Sequence, residues 1–565
     1  MKEDRSVNRF VNIIILLSLE MFSLILTMNY SVFIIYDGYI GENYYLQPKH
    51  ILIVLIISLP IYSYLIYKKN IYKKITENIS KPLILVSVII TVVICRQLIM
   101  DIYKNETKIC NYIVLILGQN YMEKYGQIFL KFGTYFCVFI AAFAIFLIYF
   151  YLIKIVVMFW KPILSSLQDY EKKYIRISFL ISLLLIIAFF SSVRGQWNSL
   201  DLIYQTDCSF IYEHYFPVYS FGYDYDWDIG NGGIRHPMTT MFTYPIYILA
   251  LVIKKFLFLF PEPLAISYAI INAIIIVLIG ILISRLTKNK YALFIYMVSS
   301  PALFYIVFIE KYQLITLLLV MYIYSIVNNH EKNEQRVLLI AATGTMVISA
   351  FLGFFYGKSK NIKKRIIEYI EIGCSFILAL ILSGRINYIL NFIYLKNQNY
   401  IMFTNQNQTN LGVLERVVKR VFEDIFCSIT NLAASCFIPI SHTNYGTYIY
   451  WDELVSKVNG VGRIICILSI ITIIIYRKNK LIQVCALWFV LCIIQMVAFN
   501  AGASALFNLY YVVMFIILLS FCVESAIKNE KIKKNIYCSI FLILCCLNTE
   551  HMVEIFKFLL EKTPL

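Results

Sequence analysis

The chain has 565 residues, 60% of them hydrophobic and only 15% charged, with a net charge of +17 and a mean hydropathy of +0.74. Soluble domains carry about 25% charged residues, so this balance excludes an ordinary soluble enzyme, a disordered chain, a collagen-like fibre and a small disulfide scaffold. What remains is an all-α polytopic membrane protein: at about 20 apolar residues per span, the length has room for roughly 12–14 helices and a few extracytoplasmic loops.

The charged segment from Met1 to Arg9 precedes a long apolar run at 10–36 with no small-residue cleavage site after it. It reads as a retained first span with a cytoplasmic N-terminus. Further apolar runs follow at 50–67, 82–100, 129–158 and 177–193. Between them lie two basic clusters: Lys68, Lys69, Lys73, Lys74 and Lys81, then Lys161, Lys172, Lys173 and Arg176. Positive clusters in short loops mark the cytoplasmic side. Because they are split between apolar runs and not gathered on one solvated face, nucleic acid is not expected as a partner. The fourteen cysteines are scattered through apolar runs with no CxxC or Cys/His metal spacing, and read as small buried apolar residues.

The stretch 194–237 then emerges on the outer side. It holds Asp201, Asp207, Glu213, Asp224, Asp226 and Asp228 against Arg194 and Arg235, net −4 in a chain of net +17. Among these acids stand Trp197, Tyr204, Tyr212, Tyr215, Tyr219, Tyr223, Tyr225 and Trp227. Aromatic planes stack on sugar rings, while carboxylates bond hydroxyls and accept protons. A membrane-interface aromatic belt is the competing reading. Asp207 and Asp201 follow closely on the outer end of the 177–193 run, where partial desolvation favours a base; a helix cap or turn role is the alternative. Asp224, Asp226 and Asp228 alternate, so an extended segment would put them on one face, where they could hold a divalent cation. The spacing is not that of an EF-hand, since Ile229 and Arg235 stand where Gly and Glu would be needed. Arg235 and His236 suit a phosphate clamp beside the bilayer, or a helix-end anchor in Arg235's case.

Beyond this stretch, apolar runs recur at about 238–260, 264–284, 291–309, 312–327, 337–357 and 366–395. A polar outer stretch covers 396–460, with acid–base neighbours from Glu415 to Asp424 that read as an interfacial amphipathic helix. Runs at 461–476, 481–499, 505–523 and 535–547 complete the chain, with a mixed tail. The middle runs cannot all cross and keep Lys254, Lys255, Arg285, Lys288 and Lys290 on one side. At least two are therefore expected to be half-spans or re-entrant hairpins, which membranes tolerate only around an enclosed cavity. Glu310 and Lys311 fall between two runs at the outer surface, as a substrate-facing pair or as a salt bridge at a helix turn. Three regions are expected: N-terminal membrane helices over 1–170, a membrane module over 171–525 with outer loops 194–237 and 396–460, and a C-terminal helix and tail over 526–565.

Four segments together resemble the GT-C superfamily of membrane glycosyltransferases, in particular bacterial GT-C-like families with extra N-terminal helices. They are DLIYQTD at 201–207, RHPMTTMFTYP at 235–245, EKYQL at 310–314 and NAGASALFNLYYVVMF at 500–515. The resemblance covers about 177–525. It implies inverting transfer of a sugar from a polyprenyl-phosphate carrier to a cell-envelope acceptor on the outer face. By the same resemblance Asp207 would be the general base, with Asp201 second. Arg235 and His236 would meet the carrier phosphate, and Tyr204, Trp197 and Glu310 would line the substrate site. A transporter or flippase for lipid-linked or polar solutes is the rival expectation, with a non-catalytic assembly protein behind it.

Overall fold

The computed structural model describes residues 3–29, 35–36, 39–40, 48–68, 81–104, 119–193, 238–357, 361–383, 425–438, 443–445, 448–450, 459–498 and 508–562. These residues are helical apart from turns and two small antiparallel ladders, Ile35–Tyr36 with Tyr39–Ile40 and Thr443–Tyr445 with Tyr448–Tyr450. Six of the described helices are long and apolar enough to cross a bilayer. The chain divides into two compact units, each with its own packing.

The first unit contains α1 (Glu3–Asn29), α2 (Pro48–Ser63), α3 (Lys81–Lys104), α4 (Gln119–Ser165) and α12 (Ile362–Leu382), with the first part of α6 (Thr239–Phe256) up to Ile248. Pro60 removes a backbone donor inside α2, and the helix widens into a π turn over Tyr64–Lys68. α4 packs on α1 and α3 around Phe22, Tyr62, Ile90, Ile94, Val138, Ala141, Ala144 and Tyr149. Small residues on α4 let α1 approach closely: the Ser18 hydroxyl accepts from the Ala144 amide at 2.8 Å and donates to the Ile140 carbonyl. On the other side of α4, Phe132, Phe136 and Phe139 are exposed, as suits a helix facing lipid chains.

The second unit contains α5 (Asp169–Ser192), the rest of α6 from Leu249, α7 (Pro263–Thr287), α8 (Lys290–Met297), α9 (Ser300–Phe304), α10 (Tyr312–Val327) and α11 (Lys332–Thr345). It continues with α13 (Ile425–Ser435), α14 (Asn459–Ile475), α15 (Lys480–Ala498), α16 (Asn508–Ala526) and α17 (Glu530–Lys562). α7 is apolar all round and buried on nearly every side, which is the pattern of a central helix. α5, α8, α10 and α16 pack against it. α5 has two unlike faces. Tyr174, Ser178, Ser182, Ile186 and Phe189 point inward, while Phe179, Leu180, Leu183, Leu184 and Ile187 are exposed. Serines inside and leucines outside are the reverse of a water-soluble helix and fit a lipid surround.

Several expectations change. The run at 291–309 does not make one helix: it splits into α8 and α9 and then an irregular segment at 305–311. The run at 337–357 is half α11 and half a 3-10 helix, Val347–Phe355. The runs at 238–260 and 264–284 form the helices α6 and α7, and the breaks within runs lie downstream of them. Lys254 and Lys255 precede the start of α7, whereas Arg285 and Lys288 lie at its far end. The polar stretch 396–460 is not wholly a surface loop. α13 within it is buried, with Leu432, Ala433 and Ala434 fully covered, and its backbone runs so close to α14 that a Cβ on Gly462 would meet the Thr430 carbonyl oxygen at 1.8 Å. The segment after 526 is one 33-residue helix belonging to the second unit, with His551, Met552, Ile555 and Leu559 buried along one side.

Candidate functional site

One end of the second unit is tied together by polar side chains. Glu171, in the first turn of α5, receives Nε of Arg285 at 2.6 Å and Nη2 at 2.7 Å, and its Oε2 accepts the Gln168 amide at 2.7 Å. Tyr324, near the end of α10, is close enough to Arg285 to interact with it electrostatically. The Lys480 ammonium donates to the Ile326 carbonyl and to Asn329 Oδ1, closing the C-terminus of α10 with positive charge. Asn289 donates to Glu524 at 3.2 Å and to the Tyr537 hydroxyl at 2.7 Å, and Lys533 bridges Glu524 and Glu530. The ends of α7, α10 and α16 and the starts of α5 and α17 therefore share one level.

Distances along the helices from this level locate the helix breaks. From Thr287 back to Asn272 on α7 is fifteen residues, and from Val327 back to Tyr312 on α10 is also fifteen. At about 1.5 Å per residue, both give about 22 Å. From Glu524 back to Asn508 on α16 is sixteen residues, or about 24 Å on the same rise. The Asn272 amide meets the Phe308 carbonyl at 2.9 Å, and the Tyr312 ring meets the Tyr510 ring edge-on at 5.2 Å. The irregular segment 305–311 thus lies about 22 Å along the helices from the polar end, a shorter distance than the roughly 30 Å thickness of a bilayer core.

The local sequence explains why the helix opens. Pro301 opens α9 and follows Ser299 and Ser300, so α8 stops at Val298. Ile306, Val307 and Ile309 are β-branched and disfavour an immediate return to helix. Opened carbonyls inside a membrane protein need donors, and carboxamides supply them. Gln313 Nε2 donates to the carbonyls of Tyr305 at 2.7 Å and Phe308 at 2.9 Å, alongside Asn272. Asn548 Nδ2 donates to Val298 at 2.7 Å and Phe437 at 3.1 Å, spanning the ends of α8 and α13. Asn508 Nδ2 donates to Ser435 at 3.1 Å, and Cys436 Sγ approaches the Asn508 carbonyl at 3.4 Å.

Glu310 and Lys311 occupy the end of this opened segment, next to the N-terminus of α10. Both are buried, each 7% exposed, at the turn that leads into α10. Rings surround the segment: Tyr305 lies edge-on to Phe308 and Tyr312, Tyr312 to Tyr510, and Tyr510 to Tyr511. His551 sits edge-on to Phe304, with Nδ1 3.5 Å from Glu554. A carboxyl, an ammonium and a tyrosine series held at one level can bind a group carrying both phosphate and hydroxyls.

Of the residues singled out from sequence, Glu310 lies in this cluster. Trp197, Asp201, Tyr204, Asp207, Asp224, Asp226, Asp228, Arg235 and His236 lie outside the described residues, as do the acids and bases of 415–424. Among the described residues no group of three or more His, Cys, Asp or Glu side chains is placed to hold a metal ion. Sequence reading gave no role to Asn272, Gln313, Asn508 or Asn548, although Gln313 and Asn508 fall within the segments 310–314 and 500–515. Their only signal was a carboxamide inside or beside an apolar run, which composition cannot tell from a surface residue. No protein-family model, curated protein or solved structure matches this chain.

Proposed function

We propose that the chain is a membrane glycosyltransferase with a GT-C-like module, taking a sugar from a polyprenyl-phosphate carrier and passing it to a cell-envelope acceptor. The observation that carries this reading is the burial of Glu310 and Lys311 among tyrosines at a helix break, about 22 Å along the helices from the polar end of the second unit. A charged pair is costly there and is retained where it does work on a substrate. A lipid-linked phosphate enters from the side at that depth, so Lys311 suits the phosphate and Glu310 a sugar hydroxyl. By the resemblance, Arg235 and His236 remain candidates for a carrier phosphate, and Trp197 and Tyr204 for the sugar.

In this reading Asp207, with Asp201 as the second candidate, takes the proton of the acceptor hydroxyl. The acceptor oxygen then forms a bond to the anomeric carbon from the face opposite the carrier. The sugar–phosphate bond breaks with its electron pair leaving on the carrier phosphate. Cationic contacts stabilise that leaving charge, so no protein acid is required. Asp224, Asp226 and Asp228 could hold a divalent cation.

The test is turnover of a labelled polyprenyl-phosphate sugar by purified protein in lipid nanodiscs. Asp207→Asn should abolish transfer and leave carrier binding intact, whereas Glu310→Gln should weaken carrier–sugar binding. Unchanged transfer in Asp207→Asn removes that residue from the mechanism. The same buried charges favour a second reading, a transporter or flippase. Movement of intact lipid-linked sugar across a proteoliposome with no cleavage of the sugar–phosphate bond would establish that reading instead.

A further inference from the structure

The first unit contains a carboxylic acid that the proposed chemistry does not use. Glu20 lies eleven residues after Arg9 and nine before Asn29 on α1. At about 1.5 Å per residue, that places it about 16 Å from one charged or polar end and about 13 Å from the other, at the middle of an apolar helix. Its side chain is buried. The Ser58 hydroxyl of α2 donates to Glu20 Oε2 at 2.7 Å, while Oε1 has no hydrogen-bond partner among the described residues. One turn further along, Ser23 and the Tyr62 hydroxyl meet at 2.5 Å. The two pairs form a polar seam between α1 and α2 inside an otherwise apolar core of Phe22, Ile25, Ile66 and Val138.

The second unit treats one of its buried carboxylates differently. Glu171 is held by both nitrogens of a guanidinium and by a backbone amide. Glu20 has one neutral hydroxyl donor. Tyr62 is the titratable group that interacts with it among the described residues, and no cationic side chain from α1, α2, α4 or α12 contributes to its surroundings there. An ionised carboxylate in a low-dielectric interior costs several kcal/mol when nothing cationic compensates it. Binding a cation removes that cost, and the smallest cation, which needs no coordination shell, is the proton.

We propose that Glu20 is an intramembrane proton-binding site, carrying its proton on the carboxyl oxygen opposite Ser58. The first unit is then more than a membrane anchor, since it holds an exchangeable acid at the middle of an apolar helix. This assignment is independent of the sugar chemistry assigned to the second unit.

The test is labelling of the full chain in nanodiscs at neutral pH with dicyclohexylcarbodiimide, a lipid-soluble reagent that adds to protonated carboxyls and leaves an N-acylurea. Mass spectrometry should find the adduct on the peptide carrying Glu20 and none on the peptide carrying Glu171, both of whose oxygens are occupied by Arg285 and the Gln168 amide. Ser58→Ala removes the competing donor and should label faster, while Glu20→Gln should lose the adduct and keep the unlabelled thermal transition. Absence of the adduct at Glu20, or equal labelling of Glu20 and Glu171, overturns the proposal. Protection by sodium ions at constant pH also overturns it, because the site would then hold a metal cation in place of a proton.

Discussion

Replacing Glu171 by Ala is the most direct test of how the second unit is held together. The carboxylate is fully buried, and its two oxygens take two charge-assisted bonds from Arg285 and one from the Gln168 amide. Removing one partner of a buried ion pair costs about 3–5 kcal/mol, chiefly because the other charge is left behind. Arg285 keeps 20% of its side chain exposed and can recover some hydration, which puts the expected loss near the lower figure. The lost cap on the first turn of α5 adds about 1 kcal/mol. Together these give a destabilisation of about 3–4 kcal/mol. Arg285→Met fills the same space without a charge, so the double variant should recover about 2 kcal/mol of the loss, a coupling within the range seen for residues in one network. The assay is equilibrium unfolding in mixed micelles, followed by tryptophan fluorescence, for the two single variants and the pair. A loss below about 0.5 kcal/mol, the scale of an ordinary surface substitution, or strictly additive effects would refute the reasoning. The pair also sets the register of α5 on α7, and the 194–237 stretch leaves from the other end of α5. If Asp207 is the base, Glu171→Ala should therefore lower transfer as well as stability.

Gly280→Val tests the contact of α7 with α5: a Cβ there would meet the Tyr174 hydroxyl at 2.1 Å, so unfolding should become easier by about 1–3 kcal/mol. Adding Tyr174→Phe should return part of that loss, and no recovery would mean the clash is not with the hydroxyl. Gln313→Leu removes the donor shared by the Tyr305 and Phe308 carbonyls, and Asn272 still serves only Phe308, so a loss of about 1–3 kcal/mol is expected in the same assay. Full stability of Gln313→Leu would show that the opened segment does not depend on this amide.

Composition and the spacing of apolar runs were enough to read a helical membrane protein. Arg285, Lys480 and Lys533 stand at the ends of apolar runs in the sequence, and the structure brings them to one polar level. This much is legible because hydrophobicity and charge act segment by segment. Sequence could also pick out Glu310 and Lys311, since two charges between long apolar runs stand out. Sequence alone could not place them. Whether the run at 291–309 crosses or opens depends on amides that arrive from elsewhere in the chain, Asn272 from α7 and Asn548 from α17, the latter 250 positions away from the Val298 carbonyl it meets. Glu20 and Glu171 look alike in the sequence, each an acid in or beside an apolar run. Only packing decides that one meets a guanidinium and the other a lone hydroxyl. The cost of a buried polar atom is set by the partner that reaches it, and those partners are fixed when distant helices dock.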